Sequence, residues 1–162
     1  MNKIIVAFLL FIIALPVQVL AGDYNNIISD DDASYADSMT QVEIKDFLRS
    51  KNSFLANYWY TGDNPGPVEL ANDPEAEQDY IKKRSATEII YNAGIESEIN
   101  PQFLLTMLQK EMSLVEETSP TDNQLAYAMG YDCPDTGGCN FKTKGFGKQV
   151  RATAQQFRWY VD

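Results

Sequence analysis

Hydrophobic positions recur at helical spacing through the second half of the chain. The capping-box sequence at residues 85–88 precedes an apolar face, and this pattern predicts a helix that ends before Asn100. Asn100 is a preferred N-cap residue, and Pro101 is favoured in the first turn of a helix. These two residues therefore predict a second helix, which runs to about Leu114.

The remaining C-terminal segments alternate between helix and loop. Apolar positions predict a short helix at residues 124–129 and a last helix at 148–160, joined by a glycine-rich loop at 130–147. No segment has the alternating pattern of a strand, and no internal repeat is present. The pattern therefore predicts a mainly α fold.

The first half of the chain has fewer helical signals. A capping box at residues 40–43 begins a short amphipathic stripe, which predicts a helix that includes residues 42–48. Residues 23–37 are polar and acidic and are interpreted as a solvated linker. The aromatic cluster at 54–60 fits either core packing or a sugar-stacking platform, and core packing is the commoner role of such clusters.

The start of the chain has the pattern of an export signal. Lys3 precedes an unbroken apolar run of twelve residues, and Ala21 fits the small-residue cleavage pattern. That run suits a signal peptide and is short for a membrane span, with an uncleaved N-terminal anchor as the alternative. We expect a signal peptide at 1–21, an N-terminal arm with an acidic Pro/Gly loop at 22–79, and the main domain at 80–162.

Composition and charge exclude several classes of function. The chain has 162 residues, a formal net charge of −10 and no histidine. An acidic chain repels phosphate backbones, so nucleic-acid binding is not expected. Without histidine, His-ligated metal sites and Ser–His or Cys–His catalysis are excluded, and neither a metal nor a cofactor is expected.

The two cysteines, Cys133 and Cys139, flank a segment that contains one Pro, one Asp and two Gly residues. In an oxidising compartment such a pair forms a disulfide, and the intervening residues allow the tight reversal that the bridge needs. Zinc would need further Cys or His ligands, which the chain lacks. The sequence therefore predicts a disulfide-bearing loop.

One carboxylate falls on the apolar face of the second predicted helix. Glu111 lies seven residues after Leu104, four after Met107 and three after Leu108, so helical geometry places it on the inward face. An ionised carboxylate is costly in apolar surroundings, so such a glutamate can keep its proton near neutral pH and act as a general acid. The alternative is a buried structural glutamate bonded to a backbone amide or an arginine.

A hydrophobic-Asn-Pro step lies at residues 99–101 and is followed by an apolar helix and a late Glu with Ser nearby. This arrangement resembles the lysozyme-like superfamily, in particular the soluble lytic transglycosylases and goose-type lysozymes. Further segments resemble, in the same order, a branch of secreted bacterial lysozyme-like domains, and they lie at residues 85–90, 108–115, 130–139 and 155–158. The resemblance covers about residues 80–162 and implies a lysozyme-like helical lobe.

The resemblance implies cleavage of the β-1,4 bond between N-acetylmuramic acid and N-acetylglucosamine in peptidoglycan. Glu111 would protonate the leaving oxygen, and in a transglycosylase it would then take the proton of the muramic 6-hydroxyl group. A hydrolase usually needs a second carboxylate, for which Asp132 is the first candidate. Ser113, Tyr127, Tyr131 and Asp132 are the expected substrate-binding residues, with the tyrosines lining the sugar groove.

Each of these residues also has a structural interpretation. Asp132 is typical of turns, Tyr127 of packing, and Ser113 of a helix C-terminus. Met112 separates Glu111 from Ser113, whereas the commoner family pattern has Glu and Ser adjacent. The family's late tyrosine-containing segments are not evident, which is compatible with a domain truncated at its C-terminus.

Three functions remain open at this point. The first is a peptidoglycan-cleaving glycosidase, a lytic transglycosylase or muramidase, with Glu111 as general acid and base. The second is a catalytically inactive cell-wall module that binds glycan strands. The third is an interaction protein that uses the aromatic cluster at 54–60 to bind a partner. In each case we expect a secreted, periplasmic or cell-envelope protein.

Overall fold

A computed structural model describes residues 29–62 and 83–162. The expected signal peptide at 1–21 lies outside the described residues, and so do residues 63–79 of the expected N-terminal arm with its acidic Pro/Gly loop. The expected domain boundary at residue 80 also falls among residues that are not described.

The described residues are mainly helical. Their elements are α1 (Asp30–Ala33), α2 (Gln41–Ser50), β1 (Trp59–Tyr60), β2 (Arg84–Ser85), α3 (Ala86–Ser97), α4 (Pro101–Met112), α5 (Asp122–Ala126) and α6 (Phe146–Val161). Three short 3₁₀ segments lie at Ala36–Ser38, Phe54–Asn57 and Phe141–Thr143. The two strands pair antiparallel, with Trp59 opposite Ser85 and Tyr60 opposite Arg84.

The helix starts predicted at residues 40–43, 85–88 and 100–101 are confirmed, whereas the short helix predicted at 124–129 lies at Asp122–Ala126. Thr40 and Glu43 form a complete capping box at the start of α2. The Asn100 side chain accepts a hydrogen bond from the N–H of Gln102, and Pro101 occupies the first turn of α4. The two strands were not predicted, because each has only two residues. Two residues are too few for an alternating hydrophobic and polar pattern to be recognised.

The core forms around α3. This helix packs most extensively against α6, and also against α2 and α4. Fully buried apolar side chains come from all four helices, namely Ile44, Leu48, Ile90, Leu104, Leu108, Val150 and Ala154. Residues from both sides of the expected domain boundary therefore share one core, which supplies most of the stabilisation through apolar burial.

Asn100 also anchors the N-terminal segment. Its side-chain amide donates to the carbonyl of Asp32 (2.8 Å), its amide oxygen accepts from the hydroxyl of Ser38 (2.5 Å), and its backbone N–H donates to Ala33 (2.7 Å). These bonds hold α1 and the following 3₁₀ turn against the start of α4. The interpretation of residues 23–37 as a solvated linker was therefore wrong for residues 29–37, because a buried amide supplies partners for their backbone.

A single buried amide holds the disulfide loop on α6. The side chain of Gln149 is fully buried, and its oxygen accepts from the N–H groups of Met129 (3.3 Å) and Tyr131 (2.9 Å). Its nitrogen donates to the carbonyls of Tyr131 (3.0 Å) and Thr143 (2.9 Å). Both ends of the loop thus depend on one side chain, since its backbone groups would otherwise be buried without partners.

Replacement of Gln149 by leucine should destabilise the protein strongly. Gln149→Leu leaves four backbone groups without a partner, and we expect a loss of about 2–4 kcal/mol in the free energy of unfolding. Urea unfolding measures this loss. The exposed Gln155 on the same helix is the matched control, and Gln155→Leu should change stability little. Equal effects of the two substitutions would contradict this role of Gln149.

The capping box of α2 should make stability depend on acid pH. The backbone N–H and hydroxyl of Thr40 donate to Glu43 and hold the pKa of its carboxyl below the ordinary value of 4.5. The stabilisation is therefore complete above pH 4.5 and is lost as the pH falls through the folded-state pKa. The difference in unfolding free energy between wild type and Glu43→Gln should shrink in acid. A difference independent of pH would argue against this assignment, and Asp135→Asn in the exposed loop serves as the control.

Candidate functional site

Glu111 lies at the protein surface and not in the apolar interior. Its side chain is 30% exposed, and its Oε1 atom lies 2.9 Å from the ammonium group of Lys110. Met107, one turn earlier on the same side of α4, is itself only half-buried. The prediction that Glu111 projects into apolar surroundings was therefore wrong, because this side of α4 lies at the margin of the core.

Gly130 brings the loop after α5 against Glu111. A Cβ atom at Gly130 would lie 2.9 Å from Oε2 of Glu111, and the glycine has a φ of +63°. The segment that includes Tyr127 and Tyr131 therefore runs past the end of α4. The structure thus places Glu111 beside the loop that carries the two tyrosines, although the carboxylate is paired with a lysine.

Ser113 ends α4 in the left-handed conformation, with a φ of 59°. Its N–H donates to the carbonyl of Gln109, which is the hydrogen bond of the αL C-cap motif, and the N–H of Leu114 donates to the carbonyl of Leu108. Tyr127 is the half-buried residue that caps the C-terminus of α5. Ser113 and Tyr127 therefore each lie at the C-terminus of a helix and cap it.

Asp132 and the disulfide form the base of the loop. Cys133 and Cys139 are bonded to each other, which confirms the predicted disulfide. Asn140 donates through its side chain to Oδ2 of Asp132 (2.7 Å) and through its backbone to the Asp132 carbonyl (3.0 Å). Asp132 also has a positive φ of 56°. Its geometry is therefore that of a turn residue, and its bonds with Asn140 stabilise the base of the disulfide loop.

A surface depression lies elsewhere, between α2 and α4, and we call it the α2–α4 groove. Its volume is about 780 Å³. Its apolar lining consists of Met39, Phe47, Leu105 and Val115. The groove exists because α2 and α4 each pack on α3 rather than closely on each other.

The charged groups at the rim of the groove already have partners. Lys51 pairs with Glu116 across one end at 3.8 Å, and Gln109 donates to the same glutamate at 3.2 Å. The carboxylate of Glu43 is held by Thr40, and Lys110 is paired with Glu111. An apolar floor within a rim of satisfied polar groups favours an uncharged, apolar binding partner.

Sequence reasoning missed this groove. Phe47 was assigned to the helical stripe of α2, but it is only half-buried. A signal was present in α4, where Phe103, Leu104 and Leu105 are three consecutive apolar residues. Such a run is wider than one buried helical face, so α4 has apolar surface beyond what α3 covers.

The remaining structural findings concern metals and membranes. Within residues 29–62 and 83–162, no three acidic or cysteine side chains gather into a group that could hold a metal ion. Over the same ranges, the helices lack the combination of length and apolar character that a membrane crossing requires.

Comparison with family models identifies the family of the chain. Residues 26–160 match the family described as the N-terminal domain of LasA. The chain belongs to this family. The LasA N-terminal domain occurs in secreted proteins. No curated protein and no solved structure matches the chain significantly.

The family match overturns the lysozyme-like interpretation. The LasA N-terminal domain is not a lysozyme-like family, so the resemblance was wrong, and the inferred peptidoglycan-cleaving glycosidase was wrong with it. The alternative, an inactive glycan-binding module, has no better support. The residues that carried the resemblance have general structural roles: Asn100 and Pro101 start a helix, and Ser113 ends it.

Removal of the Glu111 carboxylate should cost little stability. The Lys110–Glu111 pair is partly exposed and joins neighbours in the chain, so Glu111→Gln should change the free energy of unfolding by less than about 1 kcal/mol. The fully buried Leu108 on the same helix is the comparison, and Leu108→Ala should cost about 2–5 kcal/mol. Urea unfolding measures both. A loss for Glu111→Gln as large as that for Leu108→Ala would indicate a buried structural carboxylate.

Proposed function

We propose that the chain is an exported, non-catalytic helical domain that binds the peptidase part of a LasA-type protein through the α2–α4 groove. The observation that carries this proposal is an apolar groove whose charged rim residues already have hydrogen-bond or ion-pair partners. Membership of the LasA N-terminal domain family supports the identity of the partner.

The dimensions of the groove suit a polypeptide segment. Its lining extends along α4 from Gln102 to Lys110 and along α2 from Glu43 to the C-cap residue Lys51. Each stretch of eight residue steps is about 12 Å long, or just over two helical turns. An amphipathic helix can place two or three apolar side chains on such a surface, as in helix-in-groove recognition.

The peptidase chemistry is assigned to the partner. LasA is a staphylolytic peptidase of the M23 class. This chain contains no histidine, so its own residues cannot build the His-ligated zinc site that metallopeptidases use. A domain of this kind contributes to such a protein by binding and not by cleavage.

Export of the domain is part of the proposal. The apolar run that follows Lys3 has the length of a signal-peptide core, and the family occurs in secreted proteins. An oxidising destination agrees with the Cys133–Cys139 disulfide. We propose removal of residues 1–21 on export.

A substitution that fills the groove should weaken partner binding. Thr106 is exposed on α4 and lines the groove, so Thr106→Arg places a charge over the apolar floor without removing buried packing. We expect its affinity for the peptidase part of LasA, measured by calorimetry, to fall about tenfold or more. Wild-type binding should have a negative heat-capacity change and little salt dependence.

The matched control is Val42→Arg. Val42 is 68% exposed on α2 and does not line the groove, so this variant adds the same charge outside the site and should bind as wild type does. Circular dichroism checks that both variants are folded. Absence of wild-type binding, or equal loss in the two variants, would contradict the proposal.

A further inference from the structure

A second cavity lies on a different part of the surface, and we call it the tyrosine cavity. Its volume is about 330 Å³. Its apolar walls include Leu125 and Phe146, and its polar groups include Tyr58, Asp122 and Lys144. The volume is at the lower end of the range for small-molecule sites. None of its lining residues belongs to the α2–α4 groove.

The polar groups of this cavity differ from those of the groove in one respect. Among the described residues, the carboxylate of Asp122 and the ammonium group of Lys144 form no hydrogen bond or ion pair, and neither does the hydroxyl of Tyr58 donate one. Asp122, Lys144 and Tyr58 therefore line the same cavity without being paired with each other. This arrangement leaves all three available to a ligand that carries both charges.

The fold fixes the two charged residues on neighbouring segments. Asp122 begins α5 and Ala126 ends it, which separates them by about 6 Å along the helix axis. The carbonyl of Ala126 accepts a hydrogen bond from the N–H of Gly145 at 2.7 Å, and Lys144 directly precedes this glycine. Gly145 has a φ of +126°, and a Cβ there would collide with the hydroxyl of Tyr60. The backbone at this point is therefore restricted to glycine.

Tyr58 is held as a hydrogen-bond donor. Its ring packs edge-on against Phe146, with the ring centroids 5.6 Å apart. Burial, and secondarily the negative charge of Asp122, raise the pKa of Tyr58 above its ordinary value of 10.0. The phenol therefore keeps its proton at physiological pH, and Tyr58 lines the same cavity as Asp122.

We propose that the tyrosine cavity binds a free amino acid with an apolar or aromatic side chain. Its ammonium group is bound by Asp122, its carboxylate by Lys144 and the Tyr58 hydroxyl, and its side chain lies against Leu125 and Phe146. A zwitterion satisfies both charges at once, which a purely anionic or cationic ligand cannot do. This site goes beyond the proposed function and does not depend on a peptidase partner.

The test uses L-phenylalanine and two analogues that each lack one charge. N-acetyl-L-phenylalanine has no ammonium group, and L-phenylalanine amide has no carboxylate. Titration of the full chain, followed by NMR or calorimetry, should give binding of L-phenylalanine in the millimolar range. Each analogue should bind about five- to tenfold more weakly, as expected for loss of one partly exposed ionic contact.

Each variant should remove the same ionic contact that one of the analogues lacks. Asp122→Asn should weaken L-phenylalanine by the same factor but should not weaken the N-acetyl analogue further. Lys144→Gln should weaken L-phenylalanine and the N-acetyl analogue, and should not weaken the amide further. The matched controls are Asp135→Asn and Lys142→Gln, at exposed positions outside the cavity lining, and these should bind as wild type does.

Three results would overturn the proposal. They are the absence of L-phenylalanine binding to the folded chain, equal binding of L-phenylalanine and its two analogues, and equal effects of the cavity variants and their controls. Circular dichroism of each variant separates loss of binding from loss of fold. Failure of the groove experiment leaves this test unaffected, because the two sites share no residue.

Discussion

The burial of α3 is the constraint on which the rest of the structure depends. This helix contributes Ile89, Ile90 and Ala93 to the core and is covered by α2, α4 and α6. Apolar burial drives this arrangement, since it is the main favourable term in folding. Because α2 and α4 use their apolar faces on α3, they do not close against each other. The α2–α4 groove is the surface left between them.

Two buried side-chain amides add hydrogen bonds to the stabilisation that the apolar core supplies. Asn100 fixes the N-terminal segment to the start of α4, and Gln149 fixes the disulfide loop to α6. Each amide uses both its donor and its acceptor on backbone groups, which an apolar side chain cannot do. The N-terminal segment and the disulfide loop are thereby held in position. The tyrosine cavity depends on the same ordering, because one of its walls is the segment that leads into α6.

The groove and the cavity differ in the state of their polar groups. At the groove, Lys51 and Glu116 satisfy each other, so the site offers mainly apolar surface to a partner. At the tyrosine cavity, Asp122 and Lys144 have no partner among the described residues, so the site offers two opposite charges. Desolvation explains the consequence: paired charges favour an apolar partner, and unpaired charges favour a ligand that supplies their counterparts.

Local sequence determined the helices, their caps and the disulfide. Thr40, Ser85 and Asn100 specified helix starts, because N-capping depends on one side chain and the backbone two or three residues later. The wrong assignment of Glu111 has a related cause. Helical periodicity placed it on the same side as Met107, but only the packing of neighbouring elements decides how far a helical face is buried.

Tertiary structure alone decided the two-stranded pairing, the bonds of Asn100 and Gln149, and both candidate sites. Trp59 and Ser85 are far apart in the chain and too few residues pair there to leave a periodic pattern. The placement of Asp122 and Lys144 around one cavity is likewise a long-range outcome, because the two residues lie on different segments of the chain. Short-range hydrogen bonding and helical periodicity can be predicted from the sequence, whereas the long-range partners of polar side chains depend on how the helices pack.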